Sequence, residues 1–202
     1  MNIILASKSK RRIEIMKSLG FVFTIAEHMH DEEMDLHLPA DEYVMECSLK
    51  KALSVEDKKN DSLIIGADTV VCLENEIIGK PKDIDDARRM LMKMSGKTHQ
   101  VLTGMTLLFN NKKISGIEKT NVTFKKLDED EIIWYLKRAD YMDKAGAYAI
   151  QEEASFFIER IDGDYFNVVG FPVFRFSMLY KEAVGEHYYK LIDGKNRGEN
   201  LG

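Results

Sequence analysis

Cysteine, proline and tryptophan are scarce in this chain of 202 residues, which carries two, three and one of them respectively. Cys47 and Cys72 lie in different kinds of segment without metal-ligand spacing, which excludes a disulfide framework and a zinc ribbon. They read as reduced thiols in or near the core. Excess positive charge is lacking too: 29 Lys and Arg against 34 Asp and Glu leave a net charge of -5, which argues against a general nucleic-acid binder. No apolar run approaches a membrane span. The apolar start Ile3-Ile4-Leu5 is too short for a signal-peptide core, and basic residues follow it rather than precede it. The expectation is a cytoplasmic protein with neither a nucleic-acid nor a membrane partner. A hydrophobic fraction of 45% with 31% charged residues, at this length, suits one α/β domain with a substantial core.

The stretch that organises the chain is Ile64-Ile65-Gly66-Ala67-Asp68-Thr69-Val70-Val71. Its aliphatic and β-branched residues suit a strand covered on both faces. Asp68 is anomalous there, because a carboxylate inside an apolar strand costs several kcal/mol unless it is paired, hydrogen-bonded or metal-bound. Gly66 marks a place where a ligand or another backbone comes close. Two readings stand at this point: a strand that ends near Gly66 with Asp68 capping a turn, or a carboxylate held in the strand for a purpose.

Upstream, residues 3 to 5 form a strand, Ser7 or Ser9 caps a helix carrying Ile13, Met16 and Leu19, and Gly20 stops it. Lys8, Lys10, Arg11 and Arg12 crowd that helix's first turn, where the dipole already favours negative charge, which fits either a phosphate site or a solvated basic turn. Phe21 to Ala26 reads as a second strand and the acidic run His28 to Asp35 as a loop of no zinc pattern, one of whose carboxylates could reach a hard cation. A helix from Pro39 to about Asp57 carries Lys50 and Lys51, each locally a surface lysine. Beyond the central strand, Glu74-Asn75-Glu76 is a hairpin tip, and Pro81 keeps Lys80 extended near Asp68.

A helix opened by Asp83 to Asp86 and closed by Gly96 is followed by a long hairpin, Val101 to Phe124, turning at Asn110-Asn111. Asp128 and Glu131 form a capping box, with Leu127 and Ile132 as its staple. The run Lys144 to Gln151 is rich in small residues, Phe156 to Ile161 reads as a strand, Phe166 to Val169 as an extended piece, and Pro172 opens the last helix. Residues 1-190 read as one domain and 191-202 as a polar tail.

Ser7-x-Ser9-x-Arg11-Arg12, Lys51-Ala52, Gly66-Ala67-Asp68-Thr69, Gly79-Lys80-Pro81 and Ala145-Gly146-Ala147-Tyr148-x-x-Gln151 occur in one order. Together with Ile161 to Asp164 and Val169 to Pro172, that set resembles the Maf family of nucleotide pyrophosphatases over nearly the whole chain. The resemblance implies a fold similar to that of the inosine triphosphate pyrophosphatases: an α/β protein with a twisted mixed β-sheet flanked by helices and a two-lobed cleft. It implies hydrolysis of a nucleoside triphosphate to the monophosphate and pyrophosphate, a divalent cation (Mg or Mn), and a homodimer. Asp68 is then the base or a metal ligand, and Glu32 matches the family's acidic position and helps hold the metal. Ser7, Arg11, Arg12, Lys51 and Lys80 bind phosphates.

Members that resemble this chain in carrying Arg, Thr and Gln at Arg11, Thr69 and Gln151 act on pyrimidine nucleotides, which implies dTTP and UTP here. Relatives acting on 7-methyl-GTP have Trp before the arginines and Gln after the aspartate. The amide of Gln151 offers a donor and an acceptor to a uracil or thymine edge, and the Thr69 hydroxyl adds a contact. Two residues depart from the pattern: Lys10 stands where proline is common, and Asp31 replaces a frequent glutamate. The competing expectation is a nucleotide-binding regulator of cell division or septum formation that needs no turnover.

Overall fold

The computed structural model describes residues 1–26, 38–55 and 62–193. Its centre is a mixed sheet of seven strands: β1 (Asn2–Ala6), β2 (Thr24–Ile25), β3 (Ser62–Leu73), β4 (Glu76–Ile78), β5 (Thr98–Phe109), β6 (Lys112–Phe124) and β7 (Ile158–Asp162). The order is β2-β1-β3-β5-β6-β7, with β4 on the free side of β3. Strands β1, β2 and β3 run parallel, and the remaining pairs are antiparallel. The turns have positive φ at Glu74 and Asn75 between β3 and β4 and at Asn110 and Asn111 between β5 and β6, three of the four being asparagine, which tolerates that conformation.

The helices are α1 (Lys10–Ser18), α2 (Ala40–Leu53), α3 (Ile84–Met94), α4 (Glu129–Leu136), α5 (Tyr165–Val169), α6 (Val173–Val184) and α7 (Tyr189–Asp193). Strand side chains alternate with period 2, so each strand serves two faces. Odd-numbered residues of β3 and β5, including Leu63, Ile65, Val71, Val101 and Met105, join the large core with Ile15 and Met16 of α1, Leu91 of α3, Tyr135 of α4 and Phe176 of α6. Even-numbered residues meet α2: Ile64 and Leu108 lie with Ala52 and Val55, and Val70, Cys72 and Leu102 with Tyr43 and Val44.

Caps follow the sequence closely at some ends and not at others. Asp128 and Glu131 make the expected reciprocal capping box on α4, and Asp83 accepts from Asp86 N at the start of α3. Ser9 occupies the N-cap position of α1 but its side chain makes no cap bond; Ser7 Oγ accepts from Ser9 N at 3.2 Å instead. The extended piece expected at Phe166 to Val169 is the helix α5, because Asp164 accepts from Phe166 N and closes a first turn. The strand expected from Phe156 begins at Ile158, after a 3₁₀ turn over Glu153–Phe157. Leu191 and Ile192, at the head of the segment read as a tail, belong to α7 and pack against the core.

Candidate active site

β3 runs unbroken through Gly66 and Asp68, so Asp68 stands mid-strand rather than capping a turn. β1 pairs with β3 only as far as Gly66, and β4 takes up the same side at Val71. Residues 67–70 therefore have β5 on one side and, among the described residues, no strand on the other. This opening in the sheet lies at the carboxyl end of parallel β1, where ligand crevices of α/β sheets form. A cavity of about 430 Å³ occupies it.

On the even face, α2 is drawn hard against the sheet. A Cβ on Gly66 would stand 2.2 Å from Ser48 O, and one on Gly104 the same distance from Val44 O. Both glycines are thus required by the approach of another backbone. Ser48 Oγ lies 2.9 Å from Thr106 Oγ1 and fixes the helix along the strands. In that register Lys51, not Lys50, points into the sheet, and its Nζ donates to Asp68 Oδ1 at 2.6 Å. Both partners are buried, at 4% and 7% exposure. An ion pair so enclosed stands only because each charge answers the other. Lys50 is the surface lysine, paired with Glu46. Burial and then the neighbouring Asp68 push the Cys47 thiol above its ordinary pKa, which disfavours the thiolate.

On the odd face, Arg12 is buried and joins three segments. Its Nε donates to Gly170 O at 2.8 Å, its Nη1 to Ser7 Oγ at 3.1 Å and Ala67 O at 2.9 Å, and its Nη2 to Thr69 Oγ1 at 2.8 Å. The Ala67 carbonyl is one that a neighbouring strand would have taken. From sequence both arginines were given to phosphate; in the structure both line the cavity, and Arg12 makes these four bonds to the protein.

The small-residue turn closes a further wall. Gly146 N donates to Gly79 O at 2.9 Å, tying the turn to the Gly79-Lys80 segment, and Tyr135 Oη donates to Ala147 O at 3.1 Å. Ala147 has φ 59°, a left-handed conformation that costs an alanine roughly 1 kcal/mol and is held by those bonds and by full burial. Tyr148 Oη lies 2.7 Å from His99 Nε2. Burial lowers the His99 pKa to about 4 and raises that of Tyr148, so both are neutral near pH 7. Burial pushes the Asp143 carboxyl up, but its bond from Lys144 and the charges of Lys144 and Arg11 hold it below the ordinary value.

Of the residues expected from sequence, Ser7, Arg11, Arg12, Lys51, Asp68, Thr69 and Lys80 all line this cavity. Gln151 is exposed and lies outside the lining. Glu32 falls outside the described residues. Lys8, Tyr43, Asp143 and Gly170 line the cavity without having been singled out as site residues. Lys8 was signalled by its place between two serines in the basic turn and Gly170 by the Val169 to Pro172 motif; Asp143 carried no local sign. Among the described residues no group of three or more His, Cys, Asp or Glu could hold a metal on its own, and no helix is long and apolar enough to cross a membrane.

Comparison with known proteins adds a further finding. Residues 2–183 match the family model described as Maf-like protein. A dTTP/UTP pyrophosphatase of Thermosipho africanus is 48% identical over 86% of this chain and 88% of its own length. Relatives of the same name from Clostridioides difficile and a Thermoanaerobacter species are 46% and 44% identical, each over 90% of this chain and 95% and 97% of theirs. A HAM1 protein structure from Coxiella burnetii matches at 12% identity and a TM-score of 0.47, covering 78% of this chain and 91% of that one.

Proposed function

The chain belongs to the Maf-like protein family, and from that premise we propose that it hydrolyses dTTP and UTP to the monophosphate and pyrophosphate. The observation that carries the proposal is the convergence of a mid-strand carboxylate, Asp68, with Lys51, Lys80, Arg11 and Ser7 on one cavity. Such a set has the two components that phosphoryl chemistry needs: an acceptor for a water proton, and cations for the phosphate oxygens.

In this reading the oxygen of a water attacks the α-phosphorus and its proton passes to Asp68. The bond from the α-phosphorus to the α,β-bridging oxygen breaks, and pyrophosphate leaves with the electron pair. Lys51 holds the carboxylate in place through its 2.6 Å bond. Lys80 and Arg11 face the pyrophosphate, the guanidinium offering a fork where lysine offers a point charge. Arg12 shapes the wall against which these groups act.

A divalent cation, magnesium or manganese, suits this donor set, because magnesium is held by one or two carboxylates together with substrate phosphate oxygens. Asp68 supplies one carboxylate, and Glu32 is the second that the reading assigns. Bound there, the ion neutralises charge on the phosphoryl oxygens. The same reading has the protein act in the cytoplasm as a homodimer; sedimentation of the purified chain tests the dimer.

The activity is tested by pyrophosphate release from dTTP, UTP, CTP, ATP, GTP and 7-methyl-GTP with magnesium or manganese, beside Asp68→Asn. Turnover of dTTP and UTP, lost in the variant with nucleotide affinity retained, is the expected result. Preference for 7-methyl-GTP would remove the specificity reading, and binding without any hydrolysis would replace the enzyme by a nucleotide sensor.

A further inference from the structure

Thr69 and Thr103 stand opposite each other on β3 and β5, on the face of the sheet away from Asp68 and Lys51. Their hydroxyl oxygens are 2.9 Å apart. Thr69 is partly exposed and lines the cavity, whereas Thr103 is wholly buried behind it. The pair sits between two groups with no choice of role. On one side the Arg12 Nη2, which can only donate, gives a hydrogen bond to Thr69 Oγ1 at 2.8 Å. On the other, Thr103 Oγ1 lies 3.5 Å from the carbonyl oxygen of Asn167, which can only accept.

That carbonyl is fixed. The Asn167 amide donates to Val101 O at 2.9 Å and Thr120 Oγ1 at 3.0 Å, and Gly170 N donates to the carbonyl itself at 3.0 Å. A hydroxyl has one proton to give and two lone pairs. With a donor at one end and an acceptor at the other, each hydroxyl satisfies its neighbours when all protons point the same way, from Arg12 to Thr69 to Thr103 to Asn167. The Thr69 proton is then committed to Thr103, one lone pair is committed to Arg12, and only the second lone pair is left for the cavity.

We propose that this one-way chain makes Thr103 and Arg12 positioning residues for substrate choice, by presenting Thr69 to the nucleotide as an acceptor and never as a donor. The proposal rests on the dTTP and UTP reading and deepens it. Uracil and thymine carry an N–H at ring position 3, which an acceptor welcomes. Cytosine has a lone pair at that atom, which an acceptor repels. The chain thus admits UTP and dTTP and rejects CTP, without a charged group at the base.

The test is kcat/KM for UTP and CTP with wild type, Thr103→Val and Thr103→Ser, together with wild type on N3-methyl-UTP, which lacks the ring N–H. Valine keeps the shape of threonine but takes no proton from Thr69, so Thr69 becomes free to donate. The UTP:CTP ratio should then fall about tenfold or more, since a polar mismatch in a site built for one partner is costly. Serine restores the acceptor and should restore the ratio. Wild type should treat N3-methyl-UTP as poorly as CTP, a readout that stands even if the valine variant does not fold. An unchanged ratio in Thr103→Val, an equal loss on both nucleotides, or N3-methyl-UTP used as well as UTP would overturn the proposal while leaving the pyrophosphatase in place. No turnover of UTP by wild type would remove that activity and the proposal with it.

Discussion

The two faces of β3 are built from the same twelve residues and solve different problems. The even face, toward α2, is tight and sets one charged pair into an apolar seam: backbone meets backbone at Gly66 and Gly104, and a lysine and an aspartate are enclosed between apolar neighbours. The odd face carries the large aliphatic and aromatic core, and its polar groups near the cavity are hydroxyls and one arginine bonded to neutral partners. Asp68 and Thr69 are adjacent in sequence yet project to opposite sides, because successive strand side chains do. Both reach one cavity because, among the described residues, β3 has no strand neighbour there on that side. A single strand thereby separates the group proposed to react from the group proposed to select.

The sharpest test of that division is Asp68→Asn, the largest expected effect. Removing the proton acceptor should lower kcat by roughly 10²–10⁴-fold, the range of a general base, with the UTP:CTP ratio unchanged. Pyrophosphate release measures it. A change in nucleotide preference here would break the assignment of the even face to chemistry alone.

Next comes Gly104→Ala. Its Cβ would meet Val44 O at 2.2 Å, a backbone atom that cannot swing aside. The loss should reach the upper end of the ~1–3 kcal/mol range for overpacking, read from urea denaturation. Gly116→Ala is the control, because it meets the Leu179 and Arg175 side chains at 3.0 and 3.2 Å and these can shift. Equal losses would mean that the close seat of α2 is not what the glycine protects.

Acid sensitivity belongs to the odd face. His99 has a folded pKa of about 4 against an ordinary 6.5, so the unfolded chain binds a proton that the folded chain refuses. Its neutral form contributes full stability above pH 6.5, and that contribution is lost as pH falls toward 4. Linkage puts the loss at about 2 kcal/mol between pH 7 and pH 5. Thermal melts across that range should show it, and His99→Gln should flatten the slope. A slope that persists in the variant would move the acid response elsewhere. The smallest effect is expected of Lys50→Ala, a change of less than about 0.5 kcal/mol with activity kept, set beside the inactivation expected of Lys51→Ala.

Much of this architecture was legible before any coordinates. Asp83, Asp128 and the Asn110-Asn111 turn define their ends by local chemistry, and local chemistry is what a sequence displays. Asp68 was legible as an anomaly. Lys51 was not distinguishable from Lys50 by anything local, since the choice depends on how α2 is rotated over a strand notched at Gly66 and Gly104. α5 was misread because its five residues hold no helical period, and its start depends on one cap at Asp164. Thr103 and Asn167 were invisible for another reason: they reach the Thr69 region from 34 residues after Thr69 and, for Asn167, 64 residues after Thr103.

A strand with bare N–H and C=O groups is a template on which another chain can add itself, and β-rich proteins guard against such edges. Among the described residues the unguarded length is 67–70, bounded by β1 and β4, and Arg12 already occupies one of its carbonyls. A strand of ordinary length, about five or six residues, does not fit between those flanks. The same window that is proposed to admit a phosphate chain is therefore too short for a peptide strand, and an open edge at the proposed site does not invite aggregation.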